Sequence, residues 1–286
     1  MKGYLGPDIP LEFNPHNPLH DPSDRNMQRF FRPTEEEGSE SPEDMVFQLT
    51  KQHRMAAGIM GMLNSVEYRH SGQKLENCFN HGKAACLPRL SSDKQAIWRV
   101  VTDPEMWHSL FGPIIPWEKA ERIAAANLLF IDSGTGRPNE SKHSRFVHSW
   151  QNMRECAISS RFLLHLTARN VPARCITVVT PYRGQLSSMQ AMVSQNAQLQ
   201  DVTVTTVDGV QGGEAEVVLL TLVRSHRHGV VGFLENTKRL TVALSRARQF
   251  LVIIGDKRAL TIREFEYLCA LVDHVDKEKL SVTWPM

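Results

Sequence analysis

The 286-residue chain contains no Gly-x-x-x-x-Gly-Lys-Ser/Thr segment, the lysine-bearing loop that cradles nucleotide phosphates. Five cysteines stand at 78, 86, 156, 175 and 269 without a Cys-x-x-Cys pair, which suggests neither a zinc cluster nor a dithiol redox pair. Their odd number argues against a secreted disulfide scaffold. No apolar run approaches the roughly 18 residues of a membrane span. The first residues, MKGYLGPDIPLEF, lack the apolar core of a signal peptide. The expectation is an intracellular, reducing compartment, cytoplasm or nucleus, with no membrane partner. A strong charge of one sign is also missing. Thirty-three Lys and Arg face 31 Asp and Glu for a net +2, too mild to establish a nucleic-acid partner by itself. Internal repeats and low-complexity tracts are absent too.

What is present fits a globular protein with a core, at 41% hydrophobic and 22% charged residues. Residues 1–45 hold seven of the fifteen prolines and the acidic run Glu35–Glu37, and such a lead-in cannot build a core. Val46–Leu49 reads as a short apolar element, and a helix is expected from Ala56 to about Ser65. Residues 70–120 carry three of the five tryptophans without a clear period and read as an insertion with helical pieces. Strands and helices then alternate. Leu128–Asp132, Cys175–Thr180 and Val202–Val207 read as strands, as do the continuous apolar runs Glu216–Val223 and Phe250–Gly255. Asn152–Thr167 and Gln185–Val193 read as helices, and 261–286 as a helical tail. Continuous apolar strands separated by helices predict an α/β fold, a mostly parallel sheet flanked by helices. Cys156 and Cys175 are expected in its core.

Chemistry concentrates in a few segments. Thr205–Leu220, TTVDGVQGGEAEVVLL, runs from a polar stretch through Asp208 and Gln211-Gly-Gly-Glu214 into an apolar strand. Glycines let a backbone approach a phosphate or sugar closely, and a carboxylate just beyond can accept from a ribose hydroxyl pair. Lys238–Arg248, KRLTVALSRAR, reads as a helix with arginines on one face. Gln52-His-Arg-Met55 lies far upstream, and Thr180-Pro-Tyr-Arg-Gly-Gln185 follows an apolar strand. Three polar clusters, at 180–185, 208–214 and 224–225, follow strands and so are expected at carboxyl ends, where open α/β sheets gather ligands. From Arg224 to Arg258 eight Lys and Arg (Arg224, Arg227, Lys238, Arg239, Arg246, Arg248, Lys257, Arg258) face only Glu235 and Asp256, a candidate basic face. Asn152-Met-Arg-Glu155 is explained by helix capping. His226-Arg-His228 reads as an exposed basic loop, and Ser133–Gly136 as a loop lacking the lysine of a phosphate site.

In this order the segments resemble the second RecA-like motor lobe of superfamily 1 helicases. The branch is the one containing the nonsense-mediated-decay helicase, senataxin and the NFX-type zinc-finger helicases. Thr206–Val218 resembles motif V, Leu240–Arg248 motif VI and Gln52–Met55 the Gln-Tyr-Arg-Met element, with His53 in place of the tyrosine. The resemblance covers about residues 46–258, most densely from 175 onward. It implies ATP with Mg bound between two lobes, with catalytic arginines Arg246 and Arg54 reaching the γ-phosphate. It implies His53, Gln211 and Glu214 at the nucleotide. Thr180, Tyr182, Gln185, Thr206 and Asp208 would lie along single-stranded RNA or DNA or at the lobe interface.

The phosphate loop and magnesium carboxylates belong to the first lobe, in cis or in trans, and neither an Asp-Glu-Ala-x nor a Gly-Asp-x-x-Gln-Leu element occurs here. The expectation is therefore a fragment of a helicase ATPase that does not hydrolyse ATP alone. The alternative is a non-catalytic nucleic-acid or protein binding module derived from a helicase.

Overall fold

The computed structural model describes residues 50–69, 74–77, 91–146, 148–210, 213–226, 232–261 and 265–284. The lead-in 1–45, the Val46–Leu49 element, Cys78, Cys86, Gln211 and His228 lie outside them. The strands follow the apolar and β-branched runs, whose restricted side-chain rotation favours extended backbone. They are β1 (Lys51–Gln52), β2 (Glu76–Asn77), β3 (Leu128–Asp132), β4 (Glu140–Lys142) and β5 (Trp150–Asn152). Then come β6 (Ile176–Thr180), β7 (Thr203–Thr206), β8 (Ala215–Thr221), β9 (Ala247–Gly255) and β10 (Ser281–Thr283). The central sheet has the order β10-β3-β9-β8-β6-β7, and every neighbouring pair in it is parallel. Its middle strands are buried residue after residue, as a sheet covered on both faces requires. The helices are α1 (Ala57–Val66), α2 (Ser92–Val101), α3 (Pro104–Phe111), α4 (Trp117–Ala126), α5 (Met153–Thr167), α6 (Arg183–Ser194), α7 (Thr237–Leu244), α8 (Lys257–Leu260) and α9 (Glu266–Lys277). α5 packs beside α6, and α1 packs beside α9, α4 and α7.

The stretch without a legible period contains α2, α3 and α4. Each has only two or three turns, too few for a periodicity to stand out. Asp103 caps α3 ahead of Pro104, and Pro116 precedes α4. Their apolar faces enter the same core as the sheet. Trp107 stacks between Phe162 and Phe250 at centroid distances of 5.7 and 4.6 Å, and its indole donates to the Val101 carbonyl at 2.9 Å. The C-terminal stretch adds a strand as well as a helix, since β10 pairs with β3 at the sheet edge.

Two expectations change. The segment Lys238–Arg248 is not one helix. α7 ends at Leu244, Ser245 and Arg246 form the turn, and Arg248 lies in β9. The reason is tertiary: Ala247 is already in register with Ala215, and this ladder overrides the helix propensity of Ala and Arg. Cys156 is fully buried as expected, whereas Cys175, just ahead of β6, is only half-buried.

One glycine records how tightly the helices fit. A Cβ added at Gly58 in α1 would stand 1.8 Å from the carbonyl oxygen of Ala126 at the end of α4. Alanine would gain about 1 kcal/mol in helix propensity, but overpacking against backbone costs roughly 1–3 kcal/mol and wins here. Gly58→Ala is expected to lower the midpoint of urea unfolding; an unchanged or raised midpoint contradicts this packing.

Candidate functional site

The candidate residues gather at two opposite edges of the sheet. Seven residues of β8 separate these edges, roughly 20 Å at about 3.3 Å per residue.

Arg54, Glu214 and Arg246 meet at the amino ends of β8 and β9, which corrects the expectation that the 208–214 cluster lies at a carboxyl end. The connection from β7 to β8 starts at one edge and finishes at the other, so Asp208 and Glu214 are parted. Arg54 is presented by a turn that Gln52 braces. The Gln52 side-chain oxygen accepts from the Arg54 and Met55 amides at 2.9 and 2.8 Å, and its amide nitrogen donates to the Met55 carbonyl. Met55 anchors the turn in the core, and the Ala56 amide donates to the Arg248 carbonyl at 2.9 Å. His53 stands exposed on the same turn. The Arg54 guanidinium pairs with one oxygen of Glu214, and Arg248 pairs with the other at 3.1 Å. Arg246 donates to the carbonyls of Val242 and Gly213 at 2.7 and 3.3 Å and to the Ser245 hydroxyl at 3.1 Å.

Electrostatics make this edge a place for an anion. Burial, and then the charge of Arg54, push the Arg246 guanidinium below its ordinary value, with Glu214 opposing. An incoming negative group would offset the charge of Arg54 that Arg246 meets there. Sequence reasoning missed Lys94 and Glu216. Lys94, from α2, pairs with Glu216 at 3.0 Å, and Gln249 holds the Lys94 carbonyl at 3.1 Å. The missing signal was the helix itself, in the stretch without a period. A groove of about 440 Å³ runs from Glu214 and Arg248 past Thr177, Thr203 and Thr205 to Cys175.

At the carboxyl edge, Thr180 and Gln185 are completely buried. Gln185 accepts from the Asn152 amide at 2.8 Å, so it ties α6 to the β4–β5 hairpin. Tyr182 is half-buried; burial pushes its phenol up, with Arg224 opposing. Thr206 accepts from the Gly209 amide at 3.1 Å, and Asp208 pairs with Arg239 at 3.2 Å. Among the described residues of the basic stretch 224–258, five of the cations are met by acids. Arg224 pairs with Glu140, Arg239 with Asp208, Arg248 with Glu214, Lys257 with Asp276 and Arg258 with Asp256. Those acids are mostly far away in sequence, out of reach of a local charge count. Among the described residues no cluster of three His, Cys, Asp or Glu side chains is placed to hold a metal ion.

Asn152 and Glu155 do more than cap α5. Asn152 does cap it, accepting from the Glu155 amide at 3.1 Å. Glu155 itself is wholly buried and accepts from the Val223 amide at 2.9 Å, while Asn152 donates to the Val223 carbonyl at 3.0 Å. Val223 has φ 71°, an outlier for a β-branched residue that the surroundings must hold at a cost of order 1–3 kcal/mol.

A parallel sheet with helical crossovers and arginines converging at one edge defines a RecA-like α/β lobe. A family model described as "AAA domain" matches residues 27–258, and the chain belongs to that family, as a RecA-like helicase domain related to the superfamily 1 branch. DNA polymerase alpha-associated DNA helicase A of Saccharomyces cerevisiae is 39% identical over 109 residues, 38% of this chain and 16% of that protein. DNA replication ATP-dependent helicase/nuclease DNA2 of Mus musculus is 29% identical over 251 residues, 86% of this chain and 22% of that protein. Regulator of nonsense transcripts 1 homolog of Arabidopsis thaliana is 34% identical over 118 residues, 40% of this chain and 9% of that protein. The chain thus spans less than a quarter of the length of each of these relatives. Among the described residues no helix is long and apolar enough to cross a membrane.

Burial pushes Glu155 up to about 8 from an ordinary 4.5, outweighing the hydrogen bonds from Val223 and Ser133 that favour its charged form. Between those values the folded chain holds a proton that the unfolded chain has released, so this group's contribution to stability falls as pH rises. Glu155→Gln keeps a neutral group at the site. It is expected to flatten the loss of stability between about pH 5 and pH 8, read by urea unfolding at both. An equally steep loss in the variant would show that Glu155 is not its source.

Proposed function

We propose that this lobe supplies the arginine contacts to an ATP held against it by a second lobe that carries a phosphate loop. The observation that carries the reading is the convergence of residues 54, 214 and 246 on one edge of the sheet, where Arg54 pairs with Glu214 and Arg246 donates to the Gly213 carbonyl. Arg54 and Arg246 are the groups proposed to meet the γ-phosphate. Glu214, with Gln211 and His53, is proposed for the nucleoside end, where the adjoining groove opens. Arg248, held by Glu214 and Glu216, is a positioning residue. The resemblance to the helicase lobe motifs supports the same division, as do the names of the relatives that are DNA helicases. The opposite edge is proposed as the strand-binding side, for single-stranded RNA or DNA. There Thr180 and Gln185 shape the surface from within, and Tyr182, Thr206 and Asp208 lie nearer to it.

Two measurements test the nucleotide edge. With the full chain alone, pyrophosphate is expected to raise the melting temperature, and Arg246→Ala to abolish most of that rise. With a phosphate-loop lobe supplied, in cis or in trans, ATPase activity is expected to appear. Arg246→Ala and Arg54→Ala should then cut turnover about 10³-fold or more, the scale of an arginine finger, with little loss of strand affinity. Arg248→Ala should cost less. Full turnover by Arg246→Ala would refute the assignment.

A further inference from the structure

The carboxyl edge leaves a question of surface. Thr180 and Gln185 are fully buried, and the β4–β5 hairpin, described over residues 140–146 and 148–152, packs against Gln185 and the start of α6. We propose that this hairpin contacts the single strand, with Phe146 stacking on a base and Lys142, Arg145 and His148 facing phosphates. The inference rests on the reading of this edge as the strand-binding side.

Phe146 is a large apolar side chain left 38% exposed. Lys142, Arg145 and His148 of the same hairpin are exposed as well, and no ion pair of Lys142 or Arg145 is found among the described residues. An exposed aromatic on a hairpin that also exposes a lysine and an arginine suits a polyanion with flat bases. Stacking accepts any base because each has a π-face, and the cations follow the backbone. An aromatic is useful in this role when its backbone is fixed, and here it is. His143 Nδ1 accepts the amides of Arg145 and Phe146 at 3.1 and 3.2 Å. The Ser149 amide donates to the Phe146 carbonyl at 2.7 Å, and the His143 amide to the Ser149 carbonyl at 3.0 Å, closing the tip.

The base of the hairpin is tied to both strand ends that flank it. Glu140 accepts from Arg224 at 3.0 Å and from the Ser225 amide at 2.5 Å, after β8. Ser149 accepts from the Gly184 amide at 2.9 Å, after β6. At Gly184 an added Cβ would meet His143 and the Trp150 carbonyl at 2.8 Å, so the hairpin lies directly on the start of α6. Lys142 and Arg224 both lie over the Trp150 ring, at 3.8 and 4.5 Å from its centroid. Tip and edge therefore form one continuous surface.

The test uses the full chain and fluorescence anisotropy on labelled oligouridylate and oligodeoxythymidylate strands over a range of salt. Phe146→Ala is expected to weaken binding roughly five- to a hundredfold, the scale of losing one stacked base, with the salt slope unchanged. Phe146→Trp should restore it. The double variant Lys142→Ala, Arg145→Ala should instead flatten the salt slope, by about 0.7 for each single-strand phosphate that is no longer neutralised. Phe146 is exposed, so an unchanged melting temperature will show that its variants fold. Unmodified chain that binds while Phe146→Ala binds equally well overturns the hairpin inference and leaves the strand-binding reading standing. Failure of the unmodified chain to bind either strand overturns both.

Discussion

The ladder between β8 and β9 is the constraint on which the rest depends. It sets Ala215 beside Ala247 and Leu220 beside Ile253. At its amino end this register brings Glu214 to Arg248, with Arg246 against the Gly213 carbonyl. At its carboxyl end it sends Val223–Ser225 out beside the turn that follows Gly255. Between Ala215 and Val217 the register shifts by one residue, an irregularity of the kind that re-aims side chains beside a site. One set of backbone hydrogen bonds therefore places both candidate interfaces and their separation.

The sheet was readable because buried parallel strands are written as unbroken apolar runs, and β6, β8 and β9 sit where VVT, EVVLLTLV and FLVIIG fall. Arg54, Glu214 and Arg246 were readable as a set through motif order. Their common edge was not, because a linear pattern does not say that the β7–β8 connection crosses from one edge to the other. The state of Arg246 and Arg248 was misread for the same kind of reason. Ala-Leu-Ser-Arg-Ala-Arg favours a helix locally, and the partner that overrides it, Ala215, lies some thirty residues away. Lys94 and Phe146 had no periodic signal at all. One sits on a short helix in an unpatterned stretch, and the other at the tip of a hairpin with strands of three residues.

The buried carboxylate of Glu155 shows how an edge of this kind is kept in shape. A strand that ends in a β-branched residue with positive φ needs both its amide and its carbonyl claimed, and Glu155 and Asn152 claim them. The same stretch of chain then delivers Arg224 and Ser225 to Glu140. The cost of a carboxyl group without water is met locally, and the return is a fixed platform under the hairpin.

Glu214 has a further consequence. It is a counter-ion tethered to the arginines it neutralises, so any solution anion must displace a carboxylate that cannot diffuse away. A tethered group competes at an effective concentration in the millimolar range or higher, which raises the threshold for chloride, sulfate or a lone phosphate. A ligand that brings several linked negative groups meets several arginines at once and passes that threshold. For the nucleotide proposed at this edge, the ion pair of the free lobe would act as a filter for valence, admitting a polyphosphate ahead of the simple salts around it.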